Sequence, residues 1–257
     1  MAASPSFETL LAEGQSVPVE GWDFSWFGGR ATEQRPKWGY SSLLAARLAR
    51  CSSAVDVQTG GGEVYAGALA RAGHRPQRVV ATESWPPNAA VARRTLAPFG
   101  AAVVEVPEDG ELPFSDAAFE LASSRHPTGR RWDELARVLR PNGRYLSQGV
   151  GSGSNRELYE ALMGPQPDDE RPAADRARAE AEAVGLQVVD HRQEATRVEF
   201  FDIAAVVHFL RKVVWTVPDF TVERYRGQLL DLHERIRREG RFVAHSQRYL
   251  IEARKPG

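Results

Sequence analysis

Short apolar segments alternate with amphipathic segments along the middle of the chain. The apolar segments predict strands at residues 54–57, 78–82, 102–106, 119–123, 143–148, 186–191 and 247–253. They lack a strict apolar–polar alternation, which is typical of strands buried on both faces. Apolar residues at three- and four-residue spacing predict helices at 41–50, 63–72, 88–96, 132–139 and 173–184. This order predicts an α/β fold with a seven-stranded, mostly parallel sheet and helices on both faces.

Two regions fall outside this alternation. The first 50 residues are rich in aromatic residues and glycine, and we predict that they form an N-terminal flap ending in a helix. Between the last two strands, Asp202 is expected to cap one helix and Thr221 a second helix that runs to about Arg238. We therefore predict a helical cap inserted at about 200–240, and we expect residues 149–171 to be a loop.

Composition narrows the classes of protein that remain. The 257 residues are 42% apolar and 26% charged, which fits one large domain or one domain with additions. A net charge of −1 gives no general attraction to nucleic acid or to an anionic membrane. The single cysteine, Cys51, excludes an intrachain disulfide and an all-cysteine zinc cluster. We find no secretory pattern and no apolar window of membrane-spanning length, so we expect a cytoplasmic protein. The sequence leaves open whether it is a monomer or a homodimer.

The densest motif lies where the first strand of the predicted sheet ends. Residues 55–63 read Val-Asp-Val-Gln-Thr-Gly-Gly-Gly-Glu and open a helix. A phosphate-binding NTPase loop needs Gly-Lys-Ser/Thr, which is absent, and a dinucleotide fingerprint fails because its last glycine falls on Tyr65. Instead an acid, Asp56, precedes Gly60 and Gly62. An acid at this point would repel a pyrophosphate but suits a cationic amino or sulfonium group.

This arrangement resembles the first motif of the class I S-adenosylmethionine-dependent methyltransferases, Asp-x-Gly-x-Gly-x-Gly, with Gln58 in place of the first glycine. Three later features are also similar to that family. They are the acid Glu83 after the second strand, residues 108–120 (EDGELPFSDAAFE) and residues 134–144 (ELARVLRPNGR). The resemblance implies a Rossmann-like fold, a methyltransferase domain at 51–257 after the flap at 1–50, S-adenosyl-L-methionine as cofactor and S-adenosyl-L-homocysteine as product.

The resemblance also implies roles for single residues. Glu83 would bind the ribose hydroxyls, since a carboxylate can accept two hydrogen bonds from a diol. Asp109 or Glu108 would bind the adenine amino group, although Asp109 could equally be a solvated acid in a turn. The other residues expected to bind the cofactor are Asp56, Gln58, Thr59, Gly60, Gly62, Ser84 and Ser124.

Catalysis is expected in the loop after the fourth strand, because ligands of open parallel sheets lie at the carboxyl ends of the strands. His126 is the candidate general base, and Arg125 is the candidate for binding an acidic substrate. His126 could equally bond loop backbone, and Arg125 could pair with a nearby carboxylate. The Asn/Asp-Pro-Pro-aromatic motif of enzymes that methylate DNA amines is absent. Methyl transfer from a sulfonium can also proceed by positioning alone.

The candidates for substrate binding lie mostly outside the motif region. They are Trp22, Trp26, Arg30, Trp38, Tyr40, Gln148 and His208. The aromatic residues could form an apolar wall over the cofactor, or they could simply pack on the core. Arg30 could contact a carboxylate of substrate or cofactor. No spacing of acids typical of a metal-dependent methyltransferase is recognisable, so we expect no metal.

The leading hypothesis is methyl transfer to an oxygen or nitrogen of a small molecule. The near-neutral charge and the aromatic flap favour a compact, partly apolar acceptor. An RNA methyltransferase is the first alternative, and it would need a basic docking surface. An enzyme that cyclises or cleaves S-adenosylmethionine is a second alternative. A non-enzymatic cofactor sensor is a third, although a degenerate pocket would have no need of Asp56 and Glu83.

Overall fold

The structure is a computed structural model that describes residues 5–19 and 24–257. The strands are β1 (Ala31–Glu33), β2 (Ser53–Asp56), β3 (Arg78–Glu83), β4 (Ala102–Glu105), β5 (Phe119–Arg125), β6 (Leu139–Val150), β7 (Gln187–Phe200) and β8 (Phe242–Arg254). The helices are α1 (Phe7–Ser16), α2 (Tyr40–Leu48), α3 (Glu63–Arg71), α4 (Pro86–Leu96), α5 (Trp132–Val138), α6 (Arg156–Met163), α7 (Ala173–Ala183), α8 (Ile203–Lys212) and α9 (Arg226–Glu239). Short 3₁₀ turns occupy Ser25–Phe27 and Ala97–Phe99.

Across the described residues, eight strands form one sheet in the order β1-β7-β8-β6-β5-β2-β3-β4. The five neighbouring strands β6, β5, β2, β3 and β4 pair in parallel. In contrast, β8 is antiparallel to β6 and β1 is antiparallel to β7. The predicted α/β fold with a mostly parallel sheet is confirmed. The predicted number of seven strands is one too few, because β1 has only three residues and a largely exposed pattern that resembles no strand signal.

Two compact units divide the chain, and β7 and β8 contribute residues to both. The helical unit comprises the described residues within 1–35, 153–169 and 195–247, and the motif unit comprises 36–152, 170–194 and 248–257. The sequence-based division into a flap at 1–50 and a domain at 51–257 with a cap at about 200–240 is a different partition. It was drawn from motifs rather than from contacts, and it stays a prediction.

The helical unit is built around α1, α8 and α9. Asp202 caps α8 as expected, accepting a hydrogen bond from the Ala205 amide at 2.8 Å. Gly14 lets α1 approach α8 closely, since a Cβ at this position would lie 2.6 Å from the Ala204 carbonyl oxygen. Apolar residues of α1, α8 and α9 share one core.

Two predictions for this unit are wrong. Helix α9 begins at Arg226 rather than after Thr221, because the Thr221 hydroxyl accepts from the Arg224 amide at 3.2 Å within a separate turn. The expected loop at 149–171 contains α6, whose Leu158 and Leu162 are both buried at i,i+4 spacing. Such a two-residue apolar face is too short to recognise among flanking Gly, Pro and acidic residues.

In the motif unit, the central strands are buried by helices on both faces. Successive strand residues point to opposite sides of a sheet. Val55 and Ala122 accordingly pack in a core with residues of α5 and α7. Ala54 and Leu121 pack in a second core with residues of α2, α3 and α4. This arrangement explains why the strands lack an apolar–polar alternation and leaves only their ends available for polar chemistry.

One buried acid ties three elements of the motif unit together. Glu252 on β8 is 2% exposed and receives two hydrogen bonds from the Arg47 guanidinium of α2, at 2.8 and 2.9 Å. Arg144 of β6 donates to the same carboxylate at 2.8 Å. Burial by itself would raise the pKa of Glu252, but the hydrogen bonds and charges of the two arginines outweigh it and lower the pKa below its usual value.

We predict that Glu252→Gln destabilises the protein by about 2 kcal/mol at pH 7, because it removes charge-assisted hydrogen bonds from two partly buried arginines. Urea unfolding measures the difference. A carboxyl group with a lowered folded-state pKa stabilises the fold above its unfolded pKa, and that contribution is lost as the pH falls through the folded pKa. The wild type should therefore lose its advantage over the variant in acid.

The matched control is Glu182→Gln, an exposed partner of Arg178 on α7. It should change the free energy of unfolding by less than about 0.5 kcal/mol. Equal effects of the two substitutions would contradict a special role for Glu252.

Candidate active site

The carboxyl end of β2 is fixed by a buried acid. Asp56 is 5% exposed, and its two carboxylate oxygens accept hydrogen bonds from the hydroxyls of Ser123 at 2.6 Å and Thr59 at 2.7 Å. Burial raises the pKa of Asp56 to about 6; these two hydrogen bonds oppose the shift, and the charge of Glu83 adds to it. Asp56 thus joins the end of β5 to the glycine loop after β2.

The glycine loop turns sharply between β2 and α3. Gly60 and Gly62 have φ values of +64° and +80°, which side chains rarely adopt. A Cβ on Gly62 would also lie 3.0 Å from the Leu96 side chain of α4. Both glycines of the motif are therefore required by backbone geometry, whatever ligand the loop binds.

Glu83, at the end of β3, reaches back to this loop. Its carboxylate accepts from the Gly60 amide at 2.7 Å and from the Trp85 amide at 3.0 Å, one on each oxygen. A carboxylate has about four acceptor sites, so each oxygen can still accept a further hydrogen bond. Glu83 is 6% exposed and held in place, which suits an acid that binds a diol.

Gln58 stands where the family motif has a glycine, and its side chain bridges two loops. Its amide oxygen accepts from the backbone amide and the hydroxyl of Thr128, at 2.9 and 3.0 Å. Its amide nitrogen donates to the Gly129 carbonyl at 3.0 Å. Gln58 also has a φ of +57°. The departure from the motif therefore connects the loop after β2 to the loop after β5, which a glycine could not do.

A cavity of about 30 Å³ lies at these strand ends. Of the residues predicted to bind the cofactor, those that line it are Gln58, Ser84, Glu108 and Ser124. Asp56, Thr59 and Glu83 do not line it but are neighbours in sequence of the lining residues Val57, Gln58 and Ser84, and Gly60 is bonded to Glu83. Asp109 is not among the lining residues, and its carbonyl accepts from the Arg131 guanidinium at 2.7 Å.

Sequence reasoning missed a polar cluster beside Ser124. The Ser124 hydroxyl bonds to the hydroxyls of Tyr145 and Ser147, and the Arg130 guanidinium donates to Ser147 at 3.3 Å. Tyr145 and Ser147 alternate along β6, and Ser147 is the register partner of Ser124 on β5. The period-two spacing on β6 was the available signal, but it becomes informative only once β6 is known to pair with β5.

His126 belongs to a chain of three side chains. The Trp38 indole donates to the Gln148 amide oxygen at 2.8 Å, so the Gln148 amide nitrogen faces His126 Nε2 at 3.0 Å. Because that nitrogen is a donor, His126 Nε2 accepts, and the ring proton lies on Nδ1. Burial, with the charges of Arg125, Arg248 and Arg130, lowers the pKa of His126 to about 2. The structure thus brings together three of the predicted residues, with His126 neutral at physiological pH.

The remaining candidates take other positions. Arg125, at the end of β5, is exposed. Tyr40 is buried, and its hydroxyl donates to the Ser124 carbonyl at 3.0 Å. In the helical unit, Arg30 pairs with Glu13 at 2.6 Å and with Asp202 at 3.3 Å. The remaining two described candidates also belong to that unit, Trp26 and His208, whose rings lie 5.0 Å apart. Trp22 lies outside the described residues.

His208 is 1% exposed, and no described residue forms a hydrogen bond with its Nδ1. Burial, together with the charges of Lys212 and Arg211, lowers its pKa. Within the part of the chain that the structure describes, no group of three or more His, Cys, Asp and Glu side chains could hold a metal ion. In the same residues, no helix is both long and apolar enough to cross a membrane.

Comparison with known proteins agrees with this geometry. Residues 55–147 match a family model described as a methyltransferase domain. This segment is a class I methyltransferase domain. It runs from β2 to β6 and therefore includes the glycine loop, Glu83 and the cavity. The family resemblance inferred from the motifs is confirmed, and S-adenosylmethionine-dependent methylation is supported in general terms.

Solved structures share the fold at low sequence identity. A proposed methyltransferase from Bacillus halodurans is 18% identical, with 84% of this chain and 99% of that chain covered and a TM-score of 0.58. The YcgJ protein of Bacillus subtilis is 14% identical, with 85% and 98% covered and a TM-score of 0.56. The [4+2]-cyclase SpnF is 18% identical, with 84% and 80% covered and a TM-score of 0.50. At such identities the likeness shows the fold alone. No curated protein matches the sequence.

We predict that Asp56→Asn stabilises the protein at pH 7 relative to pH 4.5. An acid whose folded-state pKa is raised stabilises the fold at low pH, and that contribution is lost as the pH rises towards about 6. Between pH 4.5 and pH 7, the free-energy difference between variant and wild type should shift in favour of the variant by about 2 kcal/mol. Urea unfolding at several pH values measures it.

Asp175→Asn, at an exposed position on α7, is the control. If Asp56→Asn changed stability by the same amount at pH 4.5 and pH 7, the buried carboxylate would not be the group that is hard to ionise.

Proposed function

We propose that this protein is an S-adenosylmethionine-dependent methyltransferase whose acceptor is an oxygen or nitrogen nucleophile of a small molecule. The observation that carries the proposal is the Glu83 carboxylate, which is held against the Gly60 amide at 2.7 Å and keeps acceptor sites free. When bound, the cofactor would supply a methyl group already activated on a sulfonium.

In this proposal, each residue around the cavity has its own role in binding the cofactor. Glu83 accepts hydrogen bonds from the ribose hydroxyls. Glu108, which lines the cavity, accepts a hydrogen bond from the adenine amino group. Asp56 holds the loop in shape and supplies negative charge near a cationic ligand. The bridge from Gln58 to Thr128 and Gly129 joins two loops that line the cavity, and binding a ligand of this size in about 30 Å³ requires that bridge to open or shift.

The roles of His126 and Arg125 stay predictions. With a pKa of about 2, His126 is a weak base, and its Nε2 lone pair already accepts from Gln148. We therefore infer that the rate comes mainly from in-line positioning of the acceptor, with the Trp38–Gln148–His126 chain keeping the wall of the site rigid. Arg125 is exposed, and we propose that it helps to attract an acidic acceptor.

We predict that S-adenosylhomocysteine raises the melting temperature. A ligand at 100 times its dissociation constant stabilises the native state by about 2.7 kcal/mol, or several degrees for a chain of this size. Glu83→Ala should weaken binding at least about tenfold, because it removes a charge-assisted acceptor of ribose hydroxyls. Thermal shift and calorimetric titration measure both effects.

Glu105→Ala is the matched control. Glu105 ends the neighbouring strand β4 in register with Glu83, is exposed and pairs with Arg93 at 2.6 Å. It should bind the ligand as the wild type does. Absence of any shift with the wild type at millimolar ligand would overturn the cofactor assignment.

A labelling experiment tests the substrate class. Methyl-labelled S-adenosylmethionine, incubated with the protein and cell-extract fractions, should label small molecules and yield S-adenosylhomocysteine, and Glu83→Ala should reduce both. Label in nuclease-sensitive material would instead indicate an RNA methyltransferase. Release of methylthioadenosine would indicate cleavage of the cofactor, a use of the fold other than methyl transfer.

A further inference from the structure

Arg130 lies in the loop after β5 and lines the cavity. It follows Gly129, whose carbonyl is bonded to Gln58. Its guanidinium donates to the Ser147 hydroxyl at 3.3 Å and lies close to Tyr145 and to the ring of Tyr249. All of these partners are neutral groups of β6 and β8.

This arginine has no counter-charge. Within residues 5–19 and 24–257, no carboxylate oxygen forms an ion pair with it, and its Nε is buried without a hydrogen-bond partner. The next residue, Arg131, differs in both respects. It forms an ion pair with Asp133 at 2.7 Å, and its Nε donates a hydrogen bond to the same carboxylate. Burial raises the pKa of Tyr249, so its hydroxyl stays neutral and does not supply the missing charge.

Arg130 is partly buried, and a cation removed from water without a counter-charge is unfavourable unless something compensates for it. The rings of Trp132 and Tyr249, whose centroids lie 5.9 and 5.4 Å from the guanidinium carbon, compensate in part. They do not satisfy the Nε hydrogen. A carboxylate would supply the counter-charge, because the edge of a guanidinium binds two carboxylate oxygens side by side. Bonding to the buried Nε requires the side chain to turn that edge towards the cavity.

The cavity suits a group of this size. A cavity needs about 10–15 Å³ to hold one water molecule, so about 30 Å³ accommodates the two oxygens of a carboxylate. Besides Arg130, the groups lining it include the hydroxyl-bearing residues Ser124 and Tyr145. The other lining charges are Glu108 and the already paired Arg131.

We propose that Arg130 binds a carboxylate of the methyl acceptor, and that the acceptor is therefore a small carboxylic acid. This inference rests on the proposed function. Its position supports the acceptor over the cofactor as the source of the carboxylate. The cavity is shared with the cofactor candidates Gln58, Ser84, Glu108 and Ser124. The side chain of Arg130, however, contacts β6 and β8, which lie on the other side of β5 from the ends of β2 and β3.

Acetate and acetamide are matched probes, because they have the same shape and only one carries charge. The readout is the Nε–Hε signal of Arg130 in a ¹⁵N NMR spectrum, assigned by its disappearance in Arg130→Lys. Acetate should shift this signal saturably, both with and without S-adenosylhomocysteine, and acetamide should not. The Nε–Hε signal of Arg178, an exposed arginine paired with Glu182, is the control for unspecific anion effects.

Two results would overturn the proposal. The first is an Arg130 signal that responds to acetate no more than to acetamide, or no more than the Arg178 signal does. The second is an equal shift with S-adenosylhomocysteine alone but not with methylthioadenosine, which lacks the amino-acid end, because Arg130 would then bind the cofactor. A response to acetate in a protein that binds no S-adenosylhomocysteine would reject the proposed function and leave the anion site standing.

Discussion

The candidate site depends on one buried carboxylate, that of Asp56. Its hydrogen bonds to Ser123 and Thr59 fix the glycine loop to the end of β5, so the loop amide of Gly60 meets Glu83 at the end of β3. Burying this acid is unfavourable, as the raised pKa shows. A chain selected for stability alone would replace it with a neutral residue. Its presence indicates that the charge and geometry at this point serve a ligand.

Gln58 extends this constraint to the opposite loop. Through Thr128 and Gly129 it fixes the segment that leads directly into Arg130. The residue that departs from the family motif therefore links the expected cofactor side of the site to the expected acceptor side. A substitution of Gln58 would therefore change the position of Arg130, so the effects of substitutions at these two residues should not be additive.

Sequence was sufficient where the structure depends on short-range patterns. The strands β2 to β6, Asp202 at the start of α8 and the acids after β2 and β3 all have local signatures. It was insufficient where pairing between distant segments decides. β1 forms because Ala31–Glu33 pairs with β7, more than 160 residues away in the chain. Arg130 can be recognised as a candidate binding residue only when β5, β6 and β8 are known to be neighbours in the sheet. His126 is predicted from its place in the loop after the fourth predicted strand. Its protonation state, however, depends on Gln148 and three arginines, none of which belongs to a recognisable motif.

The net charge of −1 conceals how charge is distributed within the motif unit. Asp56 and Glu83 end β2 and β3, whereas Arg130, which forms no ion pair among the described residues, contacts β6 and β8 and shares its cavity with Glu108. Such a separation suits two ligands of opposite charge, a sulfonium and an acid. Because a sulfonium loses its charge when its methyl group is transferred, the acids would hold the product less strongly than the cofactor. The same distribution would thus favour both binding of the reactants and release of the product.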